Sequence, residues 1–231
     1  MNQESFQHQL RVFTTRDLNV VSAQFETYLN RLVQVNKVMN LTALTDPHQV
    51  YETHFLDSAL PAPLIKQGAT LADVGSGAGF PGVPLAILRD DLKVSLIEPT
   101  AKRCAFLSEL ISELKLNQVY VINDRAENLP CARETYDVVT ARAVAPLSIL
   151  LELCVPLVKE GGLMIAMKGQ KGLEELEEAR NAMKALHLSL VDAQTVSLPS
   201  AGVRVNLIFR KDQKTEAKYP RAYAQIKKKP L

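Results

Sequence analysis

The hydrophobic period of the chain changes once, near residue 70. Upstream, Phe25, Leu29, Leu32, Val33 and Asn36 fall at helical spacing, and a second apolar stripe runs through VYETHFLDSALPAPLI at 50–65. Asp46-Pro47 predicts a helix start, with proline in the first turn. No strand pattern precedes residue 70. Downstream, short apolar runs alternate with longer helical ones. TLADV, KVSLIE, QVYVIN, YDVVTA and LMIAMK predict strands, the last introduced by Gly161-Gly162. PGVPLAILR, AKRCAFLSELISELKL, LSILLELCVPLV and LEELEEARNAMKALHL predict the helices between and after them. Such alternation predicts a parallel sheet covered on both faces. LSLVDAQTV and RVNLIFR follow, joined by a short connection with Pro199 and Gly202 and no helix, so they pair antiparallel.

Composition sets the scale. Of 231 residues, 47% are apolar, enough for one sizeable core. The division expected is an N-terminal helical extension at 1–66, a catalytic α/β domain at 67–210 and a basic tail at 211–231. The net charge is only +2, but residues 210–231 carry about +6 and the remainder about −4. A basic tail suggests an anionic partner such as nucleic acid; the competing reading is a solvated, frayed terminus. Cys104, Cys131 and Cys154 form no CxxC pair, which implies neither a disulfide framework nor a zinc site and fits a reducing compartment. The N-terminal MNQESFQHQL lacks a signal pattern, and no apolar run is long enough to span a membrane. A cytoplasmic, metal-free monomer is the expectation.

The chemistry concentrates at LADVGSGAGFPG, residues 71–82. A strand, a glycine loop and a helix in that order put the loop at the carboxyl ends of the strands, where open α/β sheets bind ligands. Counted from the first glycine after the strand, Gly75, the third position of a dinucleotide fingerprint is Phe80, too large for helix–strand packing. Asp73 would repel a pyrophosphate but suits the sulfonium and ammonium of S-adenosylmethionine. Gly75, Gly77 and Gly79 allow close backbone approach. Glu98, ending the next strand, suits a carboxylate that accepts both ribose hydroxyls.

In these motifs the chain resembles the bacterial 16S rRNA guanine-N7 methyltransferases of the RsmG (GidB) family. The residues that carry the resemblance are NKVMNLTALTDP at 36–47, HFLDS at 54–58, DVGSGAGFPGVPLAI at 73–87, the arginine of TARAVAPL at 140–147, MKGQK at 167–171 and the tail KYPRAYAQIKKKPL. The resemblance implies a class I S-adenosylmethionine-dependent fold, Rossmann-like, with a mostly parallel seven-stranded sheet and an antiparallel last strand. It implies methylation of N7 of a guanine in the 530 loop of 16S rRNA (guanine 527 in the usual rRNA numbering), on naked rRNA or the 30S subunit. Gly75 and Phe80 would line the methionine end of the cofactor. Ala126 and Glu127 would lie against adenine or ribose, and Arg142 would face cofactor and substrate.

Guanine N7 carries a lone pair and no proton, so the reaction requires no general base. Positioning and electrostatics carry it. Arg142, Arg125 and Lys168 each follow a predicted strand and are candidates to hold guanine O6 or phosphate at one mouth. His54 and Asp57 share a helix face and, with Asn40, either contact RNA or tie the N-terminal helices to the main domain. Lys227, Lys228 and Lys229 are candidates for phosphate contacts. Pro130-Cys131 precedes YDVVTA, which makes Cys131 a loop residue and not a C5-methylation nucleophile. Competing readings are a methyltransferase for a small molecule or protein, and a non-catalytic rRNA-binding assembly factor that retains the fold.

Overall fold

The computed structural model describes residues 1–44 and 46–231. Thr45, inside the NKVMNLTALTDP segment, lies outside the described residues. Helices α1 (Gln3–Leu10) and α2 (Leu18–Met39) open the chain. Asn2 caps the first, its side chain accepting from Ser5 N–H at 2.8 Å; Asp17 caps the second through Asn19 N–H. Asp46 starts α3 (Pro47–Gln49), its carboxylate accepting from Gln49 N–H at 3.0 Å. The coil then widens into a π-helical segment, Val50–Leu56, before α4 (Asp57–Ala59). Wide turns of this kind are frequent at functional sites.

The sheet contains β1 (Thr70–Val74), β2 (Lys93–Ile97), β3 (Val119–Ile122), β4 (Tyr136–Arg142), β5 (Val158–Lys168), β6 (Leu188–Leu198) and β7 (Gly202–Lys211). Its order is β3-β2-β1-β4-β5-β7-β6. The first five strands are parallel, and β7 runs antiparallel between β5 and β6. Helices α5 (Gly82–Leu88), α6 (Ala101–Glu113), α7 (Leu147–Cys154), α8 (Gly172–Glu178), α9 (Arg180–Ala185) and α10 (Tyr223–Lys228) complete the chain. The order of crossovers reverses between β1 and β4, so the crevice beyond their carboxyl ends is where a ligand binds.

Two apolar layers bury the two sheet faces. One joins Phe6, Phe25 and Phe55 of the N-terminal region to α5 and α6; the other joins α7, α9 and Ile226 of α10. Side-chain alternation along β7 assigns Ile208 to the first layer and Leu207 and Phe209 to the second.

Three details depart from the sequence pattern. Strand β5 starts at Val158, so Gly161-Gly162 lie inside it; the register with β4 slips between Tyr136 and Val138. The helix expected after LMIAMK breaks at Ala179 into α8 and α9. The basic tail is not frayed. Arg133 donates to the carbonyls of Thr215, Glu216 and Tyr219, Arg221 pairs with buried Glu152, and Ile226 is fully buried.

Candidate active site

A cavity of about 580 Å³ opens at the carboxyl ends of β1 and β4. Its wall on the cofactor-loop side is residues 75–78 with Phe80, and its opposite wall comes from the N-terminal region and from β5, α8 and β7. The loop glycines divide by what surrounds them. At Gly79, φ is +105° and an added Cβ would lie 2.7 Å from the Tyr28 hydroxyl, so this glycine serves packing. At Gly77, φ is +58° and the only atom within contact range of a Cβ is Gly75 O at 3.8 Å, so its backbone stands open to a ligand.

Glu98 holds that backbone in place. One carboxylate oxygen accepts from Gly77 N–H at 3.0 Å and the other from Thr100 N–H at 2.9 Å. Each oxygen retains a second lone pair, as a ribose diol requires; Glu98 itself is 2% exposed behind the lining of the cavity, with Arg103 Nη1 3.9 Å from Oε1. Asp73 is placed differently from the expectation of an acid beside the cofactor. It is fully buried behind the loop, accepts from Gly82 N–H at 2.9 Å, and does not line the cavity. Burial, opposed by that hydrogen bond, raises its pKa to about 6. It organises the turn from β1 into α5.

Phe80 joins the loop to the opposite wall. Tyr28 stacks on it with ring centroids 5.4 Å apart, His54 at 4.6 Å, and the Arg142 guanidinium lies 4.8 Å from its centroid. Tyr28 is locked by a 2.6 Å bond to Ala78 O. Arg142 is anchored by Asp57 at 2.8 Å, and Arg204 of β7 approaches the other Asp57 oxygen at 3.5 Å. Asp57 is 2% exposed, so both arginines are oriented by one desolvated carboxylate. His54 bonds Thr42 Oγ1 at 2.7 Å, and its other ring nitrogen lies 3.5 Å from Arg142. Desolvation first, and the Arg142 charge second, lower its pKa to about 3, so it is neutral at physiological pH. The wide π-helical turn delivers both His54 and Asp57 to the cavity.

Lys168 reaches the cavity from the end of β5, bonded to Ala145 O at 2.8 Å and to Glu175 at 2.7 Å. Arg142 and Lys168 thus share one mouth, as the strand pattern implied. Arg125 does not join them. It is exposed, pairs with Glu127 at 3.2 Å, and lies over the Tyr223 ring at 5.0 Å. Ala126 and Glu127 line a separate cavity of about 300 Å³ with Tyr219 and Pro220 of the tail. Asn40 is the left-handed cap of α2, with φ 47°, and does not line the cavity. Lys227, Lys228 and Lys229 are exposed and have no carboxylate within ion-pair distance among the described residues.

Sequence reading missed Arg103, Glu175 and Arg204, all of which line the cavity. Arg103 was accessible in principle, one turn into the helix that follows Glu98. Glu175 and Arg204 had no local signal, since their place depends on how α8 and β7 pack. No helix among the described residues is long and apolar enough to cross a membrane, and no cluster of three or more His, Cys, Asp or Glu suited to a metal occurs there.

The sheet order, the glycine loop over the crevice and the carboxylate at the end of β2 define a class I S-adenosylmethionine-dependent methyltransferase. The open Gly77 backbone and the spare Glu98 lone pairs fit that cofactor. The family model for rRNA small subunit methyltransferase G matches residues 21–202. A protein of Staphylococcus haemolyticus named ribosomal RNA small subunit methyltransferase G is 48% identical over 213 residues, covering 90% of this chain and 89% of that one. One of the same name from Staphylococcus aureus (strain Newman) is 45% identical, covering 100% and 99%. The chain belongs to the rRNA small subunit methyltransferase G family. Among solved structures, a SAM-dependent methyltransferase from Aquifex aeolicus superposes with TM-score 0.56 at 20% identity, covering 73% of this chain and 96% of that one. TYW2 of M. jannaschii in complex with AdoMet gives 0.57 at 20% identity, covering 69% and 77%. Both share the fold.

Proposed function

We propose that this protein methylates N7 of a guanine in the 530 loop of 16S rRNA, the guanine numbered 527 in the usual scheme. The observation that carries the reading is a cavity in which Arg142, Arg204 and Lys168 converge beside the cofactor loop, in a chain whose relatives are named for small-subunit rRNA. S-adenosylmethionine supplies an electrophilic methyl group. The chain's own residues bind and orient. Glu98 and the Gly77 backbone hold the ribose and the loop. Arg142, its plane fixed by Phe80 and Asp57, directs N–H groups at guanine O6 or a flanking phosphate. Occupying N7 itself would block the nucleophile. His54 is neutral and engaged by Thr42 and Phe80, and Asp57 is buried between the charges of Arg142 and Arg204, so neither is placed to act as a base. An N7 nucleophile needs none.

The RNA reaches this mouth as a single inserted base, with the surrounding phosphates held outside. Arg125 and the lysines at 227–229 are suited to that outer role, being exposed and cationic.

The test is labelled methyl transfer from S-adenosylmethionine to 30S subunits, naked 16S rRNA and total protein, all from cells lacking this protein. Label in 16S rRNA or 30S subunits, and not in protein, is the expected result. Label confined to protein or small molecules, or no transfer to any of them, would overturn the reading.

A further inference from the structure

We propose that Glu175 reads the Watson–Crick edge of the target guanine and stabilises the positive charge that methylation creates. The proposal rests on the guanine-N7 reading above. Among the described residues, two carboxylates line the cavity, Asp57 and Glu175. Asp57 is 2% exposed; its Oδ2 accepts from Arg142, and its Oδ1, which has no hydrogen-bond partner, is buried 3.5 Å from Arg204 and faces no open space. The Glu175 side chain is 26% exposed. Its Oε2 accepts from Lys168 Nζ at 2.7 Å and from Leu147 N–H at 2.8 Å. Its Oε1 has no hydrogen-bond partner among the described residues, so one acceptor oxygen with both lone pairs is left over in a cavity otherwise rich in donors.

The support is rigid. The loop after β4 is stapled twice, by Lys168 on Ala145 O and by Glu175 on the first amide of α7. Between Arg142 and those staples, Ala143 holds a left-handed φ of 57°. The ammonium and carboxylate therefore sit at fixed positions relative to each other and to Arg142, a preorganised arrangement.

The chemistry selects guanine. Its Watson–Crick edge presents an acceptor, O6, beside two donors, N1–H and the N2 amino group. A carboxylate oxygen next to an ammonium is the complement of that edge: Lys168 donates to O6 and Glu175 Oε1 accepts from N1–H and N2–H. Adenine offers a donor where guanine has O6 and an acceptor at N1, which would leave both protein groups opposed. A site built on such bonds discriminates strongly because mismatched partners stay buried and unpaired. N7 lies on the far side of the base from N1 and N2 and remains free to attack.

Glu175 also acts on the rate. The N7 lone pair forms the new bond to the methyl carbon while the carbon–sulfur bond breaks and its electron pair stays on sulfur. The sulfonium becomes a neutral thioether, and the purine gains one positive charge without losing a proton. That charge makes N1–H and N2–H better donors. The bonds to Glu175 strengthen as the reaction proceeds, and stabilisation confined to the transition state accelerates the chemical step.

The experiment is single-turnover methyl transfer to 16S rRNA or 30S subunits carrying guanine, inosine or 7-deazaguanine at the target position. Inosine keeps N7, O6 and N1–H and lacks only the N2 amino group. With the unaltered protein, inosine should react about tenfold more slowly than guanine. Glu175→Gln should slow guanine by about ten- to a hundredfold and shrink the guanine-to-inosine ratio to about two or less. A purely helix-capping or Lys168-tethering role would slow both substrates and leave that ratio unchanged. Equal rates on guanine and inosine with the unaltered protein, or an unchanged ratio in Glu175→Gln, would overturn the proposal. If that variant does not fold, Glu175→Asp, which keeps the charge and withdraws the oxygen, should likewise shrink the guanine-to-inosine ratio, and an unchanged ratio there would overturn the proposal. Transfer to 7-deazaguanine would sink the N7 reading itself, whereas a silent 7-deazaguanine with an unchanged ratio would sink only the role of Glu175.

Discussion

Both ends of this chain read as appendages to a methyltransferase sheet, and they are used in opposite ways. The N-terminal region reaches the cavity: Thr42, Thr53, His54 and Asp57 line it, and Tyr28 and His54 stack on Phe80. The C-terminal segment is equally well packed, through Ile226, Tyr219 and the Arg221–Glu152 pair, yet none of it after Lys211 lines that cavity. It touches Arg125 from outside through Tyr223 and leaves three lysines in solvent. One end shapes a wall of the cavity; the other leaves cationic side chains exposed outside it. Perturbing the first should damage chemistry and perturbing the second should damage capture.

The largest effect is expected at Asp57. Asp57→Asn removes the buried carboxylate that two partly exposed arginines share, and breaking an ion pair around a buried charge costs about 3 kcal/mol. Chemical denaturation should show that loss, and single-turnover transfer should fall at least about a hundredfold as Arg142 and Arg204 lose their common anchor. Retained stability and rate would mean that the N-terminal wall is passive.

Arg142→Ala comes next. The methyl-transfer rate should drop about a hundredfold while the RNA dissociation constant changes by less than about threefold, as the proposed role of positioning one base requires. Equal losses in both would place Arg142 with the capture surface.

His54 in the wall and Asp73 behind the loop respond to pH in opposite directions. His54 titrates near 3 in the folded state against 6.5 unfolded, so the unfolded chain binds the extra proton between those values. Its contribution to stability is present above pH 6.5 and is lost as pH falls. Asp73 has the opposite sign. Its pKa is raised from 3.8 to about 6, so its contribution is present below 3.8 and is lost as pH rises through 6. The two partly cancel in the parent protein. His54→Gln removes one of them, and the difference in stability between parent and variant should change by about 2 kcal/mol from pH 7.5 to pH 5. Parallel stability profiles for parent and variant would show that His54 is not held neutral.

The smallest effect on chemistry belongs to the tail. Replacing Lys227, Lys228 and Lys229 together by Gln should leave the melting temperature and cofactor affinity unchanged. RNA affinity should weaken, and the salt slope should flatten by up to about three units, close to one per phosphate contact. Truncating the tail is the wrong variant, since it would also orphan buried Glu152 and uncover the apolar layer around Ile226. An unchanged slope in the triple variant would remove the lysines from the RNA surface.

The sheet was legible because its signals are local. TLADV, KVSLIE and YDVVTA are short segments rich in branched apolar residues, and the antiparallel finish followed from the short connection at Pro199–Gly202. The glycine loop was legible for its place but not for its division of labour, since Gly79 answers to Tyr28, some fifty residues away in sequence. The mouth was half legible. Following a strand put Arg142 and Lys168 at the right end of the sheet, but the same rule applied to Arg125 does not fix side-chain direction, and Tyr223 and Glu127 draw it aside. Glu175 and Arg204 lie outside any motif and become visible only when α8 and β7 are folded against β5. The docking of the tail left one trace: Glu152 is a lone carboxylate inside the apolar run LSILLELCVPLV, and burial there demands a cation.

N7-methylguanine has its own chemistry: borohydride reduction followed by aniline cleaves the RNA at that nucleotide alone. Small subunits from cells lacking the protein should be cleaved nowhere in the 530 loop. After incubation with the purified protein and S-adenosylmethionine, one new cleavage should appear there, at guanine 527, and Arg142→Ala should produce it far more slowly. Methyl label in the rRNA without a new cleavage in that loop, or a cleavage already present before the protein is added, would contradict the account.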